Sequence, residues 1–290
     1  MSEGKCIFLS SGSEAVEFAV QIAKRIIKQP VFITLSDSYL SAYGSAGRRS
    51  SDEWYCFDWS RCHKCNNLEQ CNLNCEYLNK IPIDRIGALI FEPGNASGLV
   101  KLPPEQLITT LENMVKQQGL IIIDEVITGI GRTGEWYGFE HYNIKPDIVA
   151  IGKGLGNGYP VSAVVMSQKV AENLETNGFH YAQSHQNDPL GCAIADEVIN
   201  IIEDDGLLHR SYYLGIKFLE DLKKLAKKHK CIKEVRGKGL MIAVEFNDNA
   251  EKFSLESVYL QLVERGFLAG FKPVANLLRF YPPLTIKNRI

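Results

Sequence analysis

Short apolar runs recur along this chain, and longer stretches with apolar residues at helical spacing separate them. The runs at 31–35, 120–123 and 148–151 have the length and β-branched content of fully buried strands. The pattern predicts strands over 6–10, 31–35, 87–91, 120–123, 148–151 and 162–166, and helices over 14–28, 105–117 and 189–203. Such alternation reads as an α/β fold, a mostly parallel sheet covered by helices on both faces. After about Asp205 the texture changes. A long charged helix over 207–230 precedes a strand over 239–246, a helix over 255–265 and a strand over 277–280. The expected organisation is a large domain, 1–205, beside a smaller α+β unit, 206–290.

Composition narrows the function. The chain has 290 residues, 45% hydrophobic and 23% charged, with net charge −2. That is globular composition with no electrostatic footprint for nucleic acid. No apolar run is long enough for a membrane span. The first residues lack a basic region followed by an apolar core, so no secretory signal is read and a cytoplasmic location is the default expectation. Five of the eight cysteines fall between Cys56 and Cys75.

Three predicted strands run into charged residues: 87–91 into Glu92, 120–123 into Asp124 and Glu125, and 148–151 into Lys153. Ligands of open α/β sheets bind beyond the carboxyl ends of the strands. Surface ion pairs would also account for acids and a lysine at that edge. The turn after 6–10 carries Ser11, Gly12, Ser13 and Glu14 at the start of a helix. Free N–H groups there can cradle a phosphate, although a plain cap by Ser11 or Ser13 explains the same residues. Together these groups suit one chemistry. A lysine amine forms a Schiff base with an aldehyde cofactor, a buried aspartate keeps a pyridine nitrogen protonated, and a helix N-terminus holds the cofactor phosphate.

Six segments then resemble, in order, the motifs of class III pyridoxal-phosphate-dependent aminotransferases (the ornithine, acetylornithine and 4-aminobutyrate type). They are 10–17, 91–93, 123–134, 146–160, 184–190 and 278–284. The resemblance implies a type I pyridoxal-phosphate-dependent transferase fold with a smaller α+β C-terminal part, active as a homodimer with sites at the subunit interface. By position, Lys153 would hold the cofactor and shuttle the proton, and Asp124 would pair with the pyridine nitrogen. Val126 and Tyr39 would cover the two ring faces. Gly12 and Ser13 would bind the phosphate, and Ser184, where threonine is usual, would reach the phosphate of the neighbouring subunit. Arg279 would grip a substrate carboxylate, and Glu92 stands where some members hold that arginine aside.

Three features depart from the pattern. Members of the family carry a segment before the phosphate motif and a final helix after the arginine motif, so a fragment, a split gene product or a shortened lineage is expected. Ile127 replaces a glutamine expected near the cofactor's phenolic oxygen. Cys62, Cys65, Cys71 and Cys75, with Cys56 and His63 nearby, lie in an insertion at about 51–80. Four thiolates at this spacing can close a structural zinc or iron–sulfur site, and a loop of reduced thiols fits equally. The expected function is transamination between an amino acid or amine and a keto acid or aldehyde. The alternatives are an aminomutase or racemase of the same fold, and a non-catalytic truncated relative.

Overall fold

The structure is a computed structural model that describes residues 4–62, 65, 71, 72, 74–94, 98–247 and 254–287. In chain order the elements are β1 (Gly4–Leu9), α1 (Gly12–Ile26), β2 (Val31–Leu35), α2 (Gly44–Arg48), β3 (Trp54–Phe57), β4 (Ile86–Phe91), α3 (Glu105–Val115), β5 (Leu120–Glu125), β6 (Ile148–Ile151), β7 (Ser162–Ser167) and α4 (Gln168–Thr176). They continue with α5 (Pro189–Asp204), α6 (Leu207–Lys228), β8 (Ile232–Lys238), β9 (Met241–Phe246), α7 (Leu255–Glu264), β10 (Gly270–Lys272) and β11 (Leu277–Phe280).

The first seven strands form one sheet in the order β1-β7-β6-β5-β4-β2-β3. Pairings from β6 through β3 are parallel, and β7 is antiparallel to both β6 and β1. Two reversals restore direction, so β1 runs parallel to β6. The turn after β1 therefore opens on the same sheet edge as the ends of β4, β5 and β6.

Side chains alternate across this sheet as the pleat demands. Phe32, Ala88, Ile90, Ile122 and Ala150 face α1 and α4, where Val16, Phe18, Ala19, Ile22 and Val170 are buried. Ile33, Leu89, Phe91, Ile121 and Ile123 face α3, against Leu107, Ile108 and Leu111. Both faces are covered, which is why these strands read as continuous apolar runs rather than alternating ones. Helix α1 is capped by its own sequence: the Ser11 side chain accepts the Glu14 N–H, and the Glu14 carboxylate accepts the Ser10 N–H at 2.9 Å. A second, fully antiparallel sheet has the order β10-β11-β9-β8. Val244, Phe246, Leu255 and Leu278 form its core, with Leu222 of α6 and Leu262 of α7 packed on it.

Five elements lie outside the predicted pattern: α2, β3, α4, β8 and β10. β3 is a short edge strand set among charged residues, and β8 is mostly polar because it too lies at an edge. The segment at 51–80 also differs from the bare loop expected. Trp54, Phe57, Trp59 and Leu78 are buried, and the Trp59 indole N–H donates to Asp37 Oδ1 at 2.6 Å. These residues are part of the main core.

Candidate active site

β6 ends at Ile151, Gly152 follows in extended backbone, and Lys153 opens the short 3-10 turn Lys153–Gly156. Lys153 has φ +39°, in the left-handed region, a conformation that costs a non-glycine residue about 1–3 kcal/mol and concentrates at functional sites. The turn brings three groups close together. A Cβ on Gly12 would meet Val126 Cγ1 at 2.6 Å, and one on Gly152 would meet the Gly12 Cα and Val126 Cγ1, each at 3.4 Å. The start of α1, Val126 and the backbone before Lys153 are thus in direct contact. The described hydrogen bonds give no acceptor to the N–H groups of Gly12 or Ser13. The Ser13 hydroxyl accepts the Ala42 N–H at 3.0 Å, tying the segment after Tyr39 to the same helix end.

Asp124 and Glu125 close β5 and point to different tasks. Asp124 is buried, and its Oδ1 accepts the Val126 N–H at 2.9 Å. Burial raises its pKa above the usual carboxylate range, with the Val126 N–H and the nearby Lys153 acting against that. Glu125, fully buried, takes the Thr128 hydroxyl at 2.5 Å, the Gly138 N–H at 2.9 Å and the Phe139 N–H at 2.8 Å. It pins the following turn, and burial pushes it up to about 7 against those three donors. Surrounding protein holds the Lys153 ammonium below the ordinary lysine range, while Asp124 and then Glu92 pull it back up. The Lys153 residue is nonetheless solvent-exposed, because it lines an open cavity.

That cavity, about 620 Å³, is lined by Tyr39, Ile127, Arg132, Lys153, Arg279 and Tyr281 among others. Glu92 is buried and accepts the N–H of the cavity residue Tyr39 at 2.8 Å. The structure therefore gathers Lys153, Asp124, Gly12, Ser13, Val126, Tyr39, Glu92 and Arg279 around one sheet edge. Ser184 is exposed on the segment before α5 and lines neither this cavity nor the smaller one beside Ser10 and His185. Two polar cavity residues, Arg132 and Tyr281, carry no role in the sequence reading, although each lies inside one of the six motif segments, 123–134 and 278–284.

Of the two readings of the cysteine cluster, the metal site finds no support. Among the described residues no group of three or more His, Cys, Asp or Glu side chains is placed to hold a metal ion. Cys62, Cys71 and Cys75 instead pack against the core beside α3, and Cys65 is exposed. Burial, followed by its neighbouring cysteines, pushes the Cys62 thiol up to about 11, so it sits there as a neutral apolar group. His63 lies outside the described residues. Also among the described residues, no helix is long and apolar enough to cross a membrane.

A covered parallel sheet with a lysine, a buried acid and a free helix N-terminus at one edge is the frame of a type I pyridoxal-phosphate transferase, and the comparisons agree. Residues 50–289 match the class-III aminotransferase family. The chain is 33% identical to an acetylornithine aminotransferase of Caldanaerobacter subterraneus subsp. tengcongensis, over 98% of this chain and 72% of that protein. It is 30% identical to a leucine/methionine racemase of Thermococcus litoralis, over 99% of this chain and 70% of that one. It superposes on the crystal structure of an acetylornithine aminotransferase from Elizabethkingia anophelis with a TM-score of 0.78 and 28% identity, covering 99% of this chain and 71% of the other. The chain belongs to the class-III aminotransferases. It is a transaminase, moving an amino group between an amino acid or amine and a keto acid or aldehyde, with pyridoxal phosphate as the family's cofactor.

Proposed function

We propose that Lys153 carries the cofactor and moves the proton of this transamination, with Asp124 and the start of α1 holding the cofactor in place. The observation that carries the assignment is their convergence. A left-handed lysine with a lowered pKa follows β6, a buried carboxylate ends the adjacent β5, and Gly12 abuts Val126 at a helix start where the N–H groups of Gly12 and Ser13 have no acceptor among the described residues. This donor set fits pyridoxal phosphate. When bound, that group supplies an aldehyde carbon and an electron-withdrawing ring.

The chain's residues divide the work. The Lys153 amine anchors the cofactor, and as a partly desolvated amine it takes and returns a proton at the substrate carbon. The Asp124 carboxylate holds the proton on the ring nitrogen, which keeps the ring electron-withdrawing. Gly12 and Ser13 hold the phosphate through backbone N–H groups at the positive end of α1. Val126 and Tyr39 bound the ring on its two faces. Arg279 takes the substrate carboxylate, and Glu92 tempers that charge for substrates without one. Ser184 serves the phosphate site of a neighbouring subunit, so the working form is a homodimer. The large unit, 1–205, carries the cofactor, and the small unit, 206–290, brings Arg279 to it.

The relative named a leucine/methionine racemase favours a second reading, in which the same residues return the proton to the opposite face of one amino acid. The test is the visible absorption of the protein with added pyridoxal phosphate, for wild type and Lys153→Ala. A wild-type band that is absent from the variant supports the assignment, and a band retained in the variant removes it. Incubating one L-amino acid without a keto acid then separates the two readings: formation of the D-isomer indicates racemisation.

A further inference from the structure

Two buried donors in the cavity wall lack acceptors. Among the described residues, neither the Arg279 Nε–H nor the Tyr281 O–H has an acceptor, although the Arg279 side chain leans on the phenol oxygen as a donor. Both residues line the cavity that holds Lys153. They are neighbours, with the Arg279 guanidinium carbon 5.8 Å from the centre of the Tyr281 ring.

Each is held firmly by other means. Arg279 lies in a slot flanked by glycines: a Cβ on Gly270 would meet its Nε at 2.8 Å, and one on Gly98 would run into its Nη1. The Tyr281 ring packs against Val100, Met241 and Leu277. The next carbonyl, that of Pro282, accepts from Arg132 Nη1 at 2.6 Å, and the same nitrogen reaches the Leu240 carbonyl at 3.2 Å. Ring and backbone are thus fixed, and only the hydroxyl is left over. Burial keeps it protonated against the charge of Arg279, the hydrogen bond that Arg279 gives its oxygen, and the charge of Arg132, so its O–H is available as a donor.

Buried donors in native proteins nearly always have partners. Two adjacent exceptions on a cavity wall mark where a ligand supplies the acceptor. A carboxylate has two oxygens and about four acceptor positions, enough for both donors at once. We propose that the Tyr281 hydroxyl is the second donor of a carboxylate clamp alongside Arg279, and that it biases this transaminase towards substrates bearing a carboxylate over plain amines and aldehydes. The proposal rests on the reading of Arg279 as the residue that takes the substrate carboxylate.

The probe is glutarate, titrated by calorimetry into the cofactor-loaded protein. Wild type is expected to bind it saturably. Tyr281→Phe, which keeps the ring, is expected to weaken binding about ten- to a hundredfold, the range for losing one hydrogen bond to a charged group. The cofactor band and the thermal midpoint should not move. Wild-type affinity in Tyr281→Phe, with Arg279→Lys losing glutarate, overturns the clamp and leaves Arg279 standing. Wild-type affinity in Arg279→Lys removes the reading of Arg279 and the clamp with it. Absence of saturable binding to wild type also overturns the clamp. So does a joint loss of band and midpoint in Tyr281→Phe, which assigns the residue to structure.

Discussion

Gly12 sits where a side chain has no room, since a Cβ there would come within 2.6 Å of Val126 Cγ1. Gly12→Ala is expected to cost about 1–3 kcal/mol of folding stability, the usual cost of overpacking, and, by displacing the helix start, to weaken pyridoxal phosphate binding. Spectral titration measures this, and Val126→Ala in the same chain should restore much of the affinity by vacating the clash. Asp124 gives a prediction in pH. Burial raises its folded pKa above the ordinary 3.8, so the cofactor-free folded state binds a proton that the unfolded state has lost. A raised acid favours folding at low pH, and stability falls as pH rises from about 4 towards neutrality, by at most about 1.4 kcal/mol per pH unit. Asp124→Asn keeps the acceptor for the Val126 N–H and removes the titration. Denaturant unfolding at several pH values should show a shallower decline in the variant, and an unchanged slope would mean that Asp124 titrates normally.

At the scale of elements, α3 and the segment at 51–80 close the same side of the sheet. Leu111 is fully buried there, and Leu111→Ala is expected to cost about 2–5 kcal/mol in unfolding free energy. Trp59 is buried with its indole N–H on Asp37. Trp59→Ala should cost about 3–5 kcal/mol by chemical denaturation. This packing anchors the segment through its aromatic residues, and no metal-holding group stands among the described side chains. Treatment with a strong chelator should therefore leave the thermal midpoint unchanged, and a drop of several degrees would restore the cysteine site. The spacing of the cysteines was legible in the sequence. Their environment was not, because aromatic residues far apart in the chain decide whether the thiols face one another or the core.

At the scale of the molecule, the two reversals at β7 put the start of α1 on the edge where β4, β5 and β6 end. The small antiparallel sheet then delivers Arg279 and Tyr281 from nearly 130 residues further along to the cavity of Lys153. Ser184 does not line that cavity, and its proposed role at the phosphate of another subunit is open to test. Sedimentation should find a dimer, and Ser184→Ala should lower cofactor affinity while leaving the unfolding of the cofactor-free protein unchanged. A monomer with full cofactor affinity would return the whole site to one chain.

The sequence by itself determined the strands at 31–35, 148–151 and 277–280, the helices at the starts of 105 and 189, and the charged residues that end the central strands. These follow from local periodicity and from burial on both faces, which a linear pattern records directly. Edge strands such as β3 and β8, the disposition of the cysteines and the place of Tyr281 were decided by the tertiary structure alone. Each depends on neighbours brought from distant parts of the chain. A polar strand gains its partner only when the sheet forms, and a hydroxyl becomes an unpaired donor only when the cavity closes around it.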